Sequence, residues 1–111
     1  MSAREERIAK TESLFRDVNE RIAEASERFD SDEAEFMCEC GDPACAERLE
    51  VPLDDYEQVR DDATTFVIDP DHVEADVEKI VREERDYAVV RKIHAGMARI
   101  VRKLDPRAEP A

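Results

Sequence analysis

Three cysteines fall within eight residues, Cys38-Glu39-Cys40-Gly41-Asp42-Pro43-Ala44-Cys45, and the chain has no others. Three thiols on a short loop containing Gly and Pro can reach three corners of a tetrahedron around one ion. Zinc prefers such sites, with thiolate and imidazole ligands and all four corners filled when its role is structural. Any fold this chain adopts must therefore bring a fourth ligand to the loop or leave one corner open. An odd thiol count leaves one sulfur without a partner in any disulfide scheme. Clustered cysteines in a reducing compartment favour metal binding or redox chemistry instead. An iron–sulfur cluster is disfavoured because four cysteine ligands are not present.

Only two histidines exist, His72 and His94. His72 closes the turn Asp69-Pro70-Asp71-His72 after a β-branched, aromatic run, and a loop histidine beside a strand end can be presented to a neighbouring hairpin tip. His94 opens a helical stretch and is expected to face core or solvent. The expected metal site is Cys38, Cys40, Cys45 and His72 around Zn²⁺. An acid from the loop (Glu39, Asp42 or Glu47) or a water on an open site are the alternatives for the fourth corner. Three thiolates without metal would instead make a redox-active cluster.

Catalysis finds little support. With only Gly41 and Gly96, no Gly-rich phosphate loop can form, and no Ser or Cys nucleophile has a recognisable setting. A zinc enzyme needs an open coordination position and a general acid or base. If His72 closes the site that route is shut; if it does not, Glu39 would sit beside the metal. The chain is expected not to be an enzyme.

At 111 residues the chain is expected to form one domain, with residues 1–29 as an N-terminal helix and 35–105 as a zinc-binding body. A core of this size is not generous, so a metal cross-link would contribute usefully. The net charge is −13. Residues 30–62 hold 13 acids and 2 bases, a net of −11, whereas residues 79–111 hold 5 acids and 9 bases, a net of +4. Such a field repels nucleic-acid phosphates and anionic membranes and would attract a basic protein partner. The bases Arg91, Lys92, Arg99, Arg102 and Lys103 are expected to neutralise the protein's own acidic middle rather than to bind DNA. The start, Met1-Ser2-Ala3-Arg4-Glu5-Glu6-Arg7, is charged, so no signal peptide is expected, and no apolar run approaches a membrane span. A cytoplasmic setting follows as an expectation.

The spacing predicts an α+β fold: a small antiparallel sheet with a zinc-bearing hairpin, flanked by a long N-terminal helix and a C-terminal helix. Residues 4–29 carry apolar residues at Ile8, Phe15, Val18, Ile22, Ala25 and Phe29, a helical period without Gly or Pro. This stripe is expected to dock on the body, and a homodimer through the same helix is the alternative use of it. Glu35–Cys38 and Arg48–Val51 predict a hairpin with the cysteines at its tip. Pro52–Arg60 predicts a short helix with acids in its first turn, and Thr64–Ile68 a third strand. Ile80-Val81 and Tyr87–Val90 fit a second hairpin, although Val89, Val90, Ile93, Met97, Ile100, Val101 and Leu104 also fit one helical face. A strand to about Lys92 followed by a helix over 94–104 is favoured, ended by Asp105-Pro106. Residues 106–111 are expected to be a short tail.

Several segments together resemble a family of short actinobacterial hypothetical proteins. They are Phe36-Met-Cys-Glu-Cys through Cys45, Tyr56-Glu-Gln-Val-Arg60, Phe66-Val-Ile-Asp-Pro-Asp-His72, Tyr87-Ala-Val-Val90 and Asp105-Pro-Arg107. The resemblance covers most of the chain, starting from a motif like Phe15-Arg-Asp-Val-Asn-Glu-Arg21. It implies that the cysteines and His72 belong to one pattern, and it supplies no activity. In that family the histidine usually follows Pro-Gly, where this chain has Asp71. The function expected is a small zinc-stabilised, non-enzymatic interaction or regulatory module; the alternative is a thiol redox sensor that releases zinc on oxidation.

Overall fold

The computed structural model describes residues 1–107, so of the tail expected over 106–111, residues 108–111 lie outside the described residues. The architecture is α+β. In chain order it runs α1 (Ala3–Arg28), β1 (Glu33–Met37), β2 (Arg48–Pro52), α2 (Leu53–Val59), β3 (Thr65–Ile68), a 3₁₀ turn (Pro70–His72), β4 (Glu78–Glu83), β5 (Ala88–Lys92) and α3 (Ala95–Lys103). No helix among the described residues is long and apolar enough to cross a membrane.

The start of α1 is fixed by a reciprocal cap. Ser2 Oγ accepts the Glu5 amide while Glu5 Oε1 accepts the Ser2 amide at 2.8 Å, which satisfies two otherwise orphaned donors. At its other end Asp30 takes a left-handed conformation, φ 53°, which a short polar side chain tolerates better than a bulky one. Between the ends, α1 packs on β1 and α3. Its buried face differs from the apolar stripe. Ile8 and Phe15 are inside, but Val18 is 38% and Phe29 81% exposed. The residues that replace them in the interior are polar: Glu12, Arg16 and Asn19.

Each of these buried groups has partners. Arg16 lies 3.8 Å over the Phe66 ring and donates to the carbonyls of Ala63 and Thr65 at 2.6 and 3.1 Å. Glu12 and Glu78 both receive the Lys92 ammonium. The base expected to serve the acidic middle is thus a core residue, bound to acids outside it; Arg91, facing Asp62, keeps the expected role. A charge is tolerated inside only when it is paired in this way.

The sequence pattern predicts one sheet, and the chain forms two. β1 and β2 make an antiparallel hairpin with Phe36 opposite Leu49 and Ala34 opposite Val51. β3, β5 and β4 make a three-stranded antiparallel sheet in the order β3-β5-β4. The β4–β5 hairpin resolves the helix-or-strand ambiguity of residues 77–92, with a register shift between Ile80 and Arg82. β3 is buried throughout. The hairpin's inner face stacks Phe36 on Tyr56 of α2, ring centroids 4.2 Å apart. The two sheets meet at Glu39: its amide donates to the Val67 carbonyl at 2.8 Å, and its carboxylate accepts the Val67 amide at 3.0 Å. One residue therefore takes the place of a partner strand on the open side of β3.

Candidate metal centre

The loop between β1 and β2 carries the cysteines. Its base is closed by the Cys38 amide donating to the Glu47 carbonyl at 3.0 Å, one step beyond the last hairpin pair. Asp42 shapes the tip: its side chain accepts the Ala44 amide at 2.9 Å and its carbonyl accepts the Cys45 amide at 3.0 Å. Gly41 lies against α1, where a Cβ would meet Ile8 Cγ2 at 2.6 Å. Glycine is needed at that position for close approach rather than for an unusual dihedral.

His72 arrives from β3. Asp69 caps the 3₁₀ turn by accepting the Asp71 amide at 2.9 Å, and Pro70 supplies a pre-set first position. No left-handed residue is required here, so Asp71 fits the turn without backbone strain. The ring nitrogen Nδ1 of His72 stands 3.5 Å from Cys38 Sγ and 3.6 Å from Cys45 Sγ. The ligand atoms of Cys38, Cys40, Cys45 and His72 all lie within 4.8 Å of one another. Cys38 and Cys40 are buried, while Cys45 is half-buried, as is His72. The four expected residues are brought together, and the arrangement is compatible with a bound metal ion.

Backbone amides are aimed at the sulfurs. The Asp69 amide donates to Cys38 Sγ at 3.1 Å. The amides of Asp42 and Glu47 favour the charged forms of Cys40 and Cys45 respectively. Without a metal the sulfurs share protons: Cys40 is drawn down to about 5, chiefly by the hydrogen bond from Cys38, and Cys38 is raised by that same bond and by burial. Burial raises Cys45. A divalent cation would displace these protons and hold all three as thiolates.

The other histidine is elsewhere. His94 is the N-cap of α3, accepting the Met97 amide on Nδ1 at 3.2 Å and meeting Glu5 through Nε2 at 2.7 Å. Glu39, the alternative fourth ligand and the acid an open site would have used, is corrected by the structure. It is fully buried and turned away from the sulfurs into the core. Its carboxylate accepts from Asn19 at 2.9 Å, Tyr56 at 3.1 Å and the Val67 amide. Burial raises its pKa against the pull of Arg16 and these donors. Cys38 and Cys40, on either side of it, turn to the cluster, and the residue between them points the other way, as alternate residues of an extended segment do.

Asn19 is a supporting residue that the sequence pattern did not single out. Its side chain brackets Met37, donating to the Met37 carbonyl and accepting the Met37 amide at 2.9 and 2.8 Å, and so fixes the strand end from which Cys38 leaves. The available signal was the spacing of Glu12, Arg16 and Asn19, one helical face of polar residues. No family model, curated protein or solved structure matches the chain.

Proposed function

We propose that the protein is a zinc-stabilised, non-enzymatic interaction or regulatory module working in the cytoplasm, with Cys38, Cys40, Cys45 and His72 as the zinc ligands. The observation that carries this reading is the sulfur-to-nitrogen spacing. Tetrahedral zinc with Zn–S near 2.3 Å and Zn–N near 2.0–2.1 Å separates S from N by about 3.5 Å. The two separations from His72 Nδ1 are 3.5 and 3.6 Å. Zinc is favoured over harder ions because three of the four ligands are thiols. Four protein ligands leave no position for substrate, which supports a structural metal. The acidic surface favours a basic protein as partner and disfavours nucleic acid and anionic membrane.

The chemistry of the metal follows from its neighbours. When bound, zinc would tie the hairpin loop to the turn after β3, two segments also joined through Glu39 and Val67 and by the Asp69 amide on Cys38 Sγ. Titration with a chelator, followed by metal analysis and thermal unfolding, tests this. Loss of one zinc per chain with a lowered Tm is expected; a chain that binds no zinc would refute it.

A second reading rests on Cys45, the sulfur nearest solvent. Peroxide would take two electrons from a pair of thiolates, forming one S–S bond, while the peroxide and two protons become two waters and the zinc leaves. Zinc release by mild peroxide at a rate set by Cys45 would favour this regulatory use. Zinc retention under the same treatment would leave the structural role alone.

A further inference from the structure

The three sulfurs lie close together, so the backbone decides which two of them can join. The β1–β2 register pairs Met37 with Arg48, and the Cys38 amide on the Glu47 carbonyl carries it one step further. Carried on through Glu39 and Ala46, the same register sets Cys40 opposite Cys45. Directly opposite residues share one face of a hairpin, with Cα atoms about 4.5–5.5 Å apart, inside the usual disulfide range of roughly 4.4–6.8 Å. The other two pairs fit worse. Cys38 and Cys40 are two residues apart on extended chain, about 6.4–6.8 Å, at the far limit of that range. Cys38 lies diagonal to Cys45, where residues stand about 7–8 Å apart. Hydrogen bonds also hold Cys38 in place. Its sulfur accepts the Asp69 amide at 3.1 Å, and the next residue, Glu39, is bonded twice to Val67. Cys40 and Cys45 instead flank the tip 41–44, in which Asp42, Pro43 and Ala44 are exposed. The tip can adjust to a new bond without disturbing β1 or β3.

We propose that oxidation of the centre joins Cys40 to Cys45 and leaves Cys38 as the free thiol. The pairing rests on the oxidative reading given above, and it names the two sulfurs and the residue that resolves the first oxidation. Cys45, half-buried beside the buried Cys40, meets the oxidant first. Its sulfur attacks one oxygen of hydrogen peroxide, the O–O bond breaks, and hydroxide leaves with sulfenic acid on Cys45. The Cys40 sulfur then attacks the Cys45 sulfur. The S–S bond forms as the S–O bond breaks, and a second hydroxide leaves. Two protons, from the thiols or from solvent, turn both hydroxides into water. The two sulfurs lose two electrons and the peroxide gains them. Only Cys38 and His72 then remain of the four ligands, too few to hold zinc, whereas Glu39 still fastens the loop to β3. The fold thus survives the loss of metal, and a thiol reductant reverses the change.

The test is differential thiol labelling of the wild-type chain. Protein loaded with zinc and protein stripped of it are each treated with hydrogen peroxide, then alkylated with a maleimide in acidic denaturant. Reduction and a second alkylating reagent follow, and tandem mass spectrometry reads the label on each cysteine. Two of the three thiols should be lost to the first reagent in both samples, with Cys38 keeping it and Cys40 and Cys45 carrying the second. Zinc should leave the loaded sample in step with that loss, and reductant with added zinc should return all three thiols. A bond from Cys38 to either other cysteine, or a bond between two chains, with zinc released, would overturn the pairing and leave the oxidative reading standing. Oxidation of Cys45 to sulfinic acid without any S–S bond would overturn Cys40 as the resolving residue. Three unreacted thiols with zinc retained would overturn both the pairing and the reading beneath it.

Discussion

Glu39 and Val67 are joined twice, amide to carbonyl at 2.8 Å and carboxylate to amide at 3.0 Å. This reciprocal pair is what holds the cysteine loop to β3 and so brings Cys38 near the turn that carries His72. Glu39→Ala would leave the Val67 amide, the Asn19 amide and the Tyr56 hydroxyl without their acceptor inside the core. Each orphaned buried donor costs about 1–3 kcal/mol, so a loss of roughly 3 kcal/mol or more is expected in denaturant unfolding. Wild-type stability in that variant would mean the pair does not hold the loop.

A pH effect follows from the trio of Glu12, Glu78 and Lys92. One ammonium cannot neutralise two buried carboxylates, and burial raises Glu12 to about 8 against the pull of Lys92. The folded chain thus holds a proton that the unfolded chain releases near 4.5. Stability from this group is full below the unfolded value and is lost as the pH rises through about 8. Glu12→Gln mimics the protonated acid. It should be more stable than wild type by a few kcal/mol above pH 8, at about 1.36 kcal/mol for each pH unit separating the folded and unfolded values, and the advantage should vanish near pH 5. Comparing the two proteins at each pH removes the contribution of metal loss in acid. A difference that does not change with pH would contradict the assignment.

The two histidines should separate metal binding from helix capping. His72→Ala should lower both zinc content and Tm. His94→Ala should remove the cap that accepts the Met97 amide, costing about 1 kcal/mol, with zinc content unchanged. Metal analysis and thermal unfolding of the two variants provide the check, and similar behaviour in both measurements would contradict it.

Much of this arrangement was legible in the sequence because its signals are local. The cysteine spacing, the β-branched run before His72 and the Pro70 turn each announce themselves within a few residues. The capping role of His94 also fits its place at the head of a helical stretch. What escaped was tertiary. The apolar spacing of α1 runs through Val18 and Phe29, yet the helix turns Glu12, Arg16 and Asn19 inward because Lys92, the Ala63 and Thr65 carbonyls and the end of β1 await them. Those partners lie 18 or more positions away in the chain, out of reach of periodicity. The split into two sheets escaped for the same reason, since it depends on Glu39 replacing a strand.

Loop and helix should be coupled through Gly41 and Ile8. A Cβ at position 41 would meet Ile8 Cγ2 at 2.6 Å, so Gly41→Ala should cost about 1–3 kcal/mol by overpacking. Ile8→Ala removes that methyl. The double variant should be more stable than the sum of the two single losses, an interaction measurable in a double-mutant cycle. Additive losses would show that the loop does not press on α1.

The most direct measurement is X-ray absorption at the zinc edge on protein purified without chelator, with the metal counted in the same sample. One zinc per chain, surrounded by three sulfurs near 2.3 Å and one nitrogen near 2.0–2.1 Å, is the expected result, with the nitrogen signal lost in His72→Ala. Absence of zinc, or a shell containing oxygen in place of the imidazole nitrogen, would contradict a centre closed by Cys38, Cys40, Cys45 and His72.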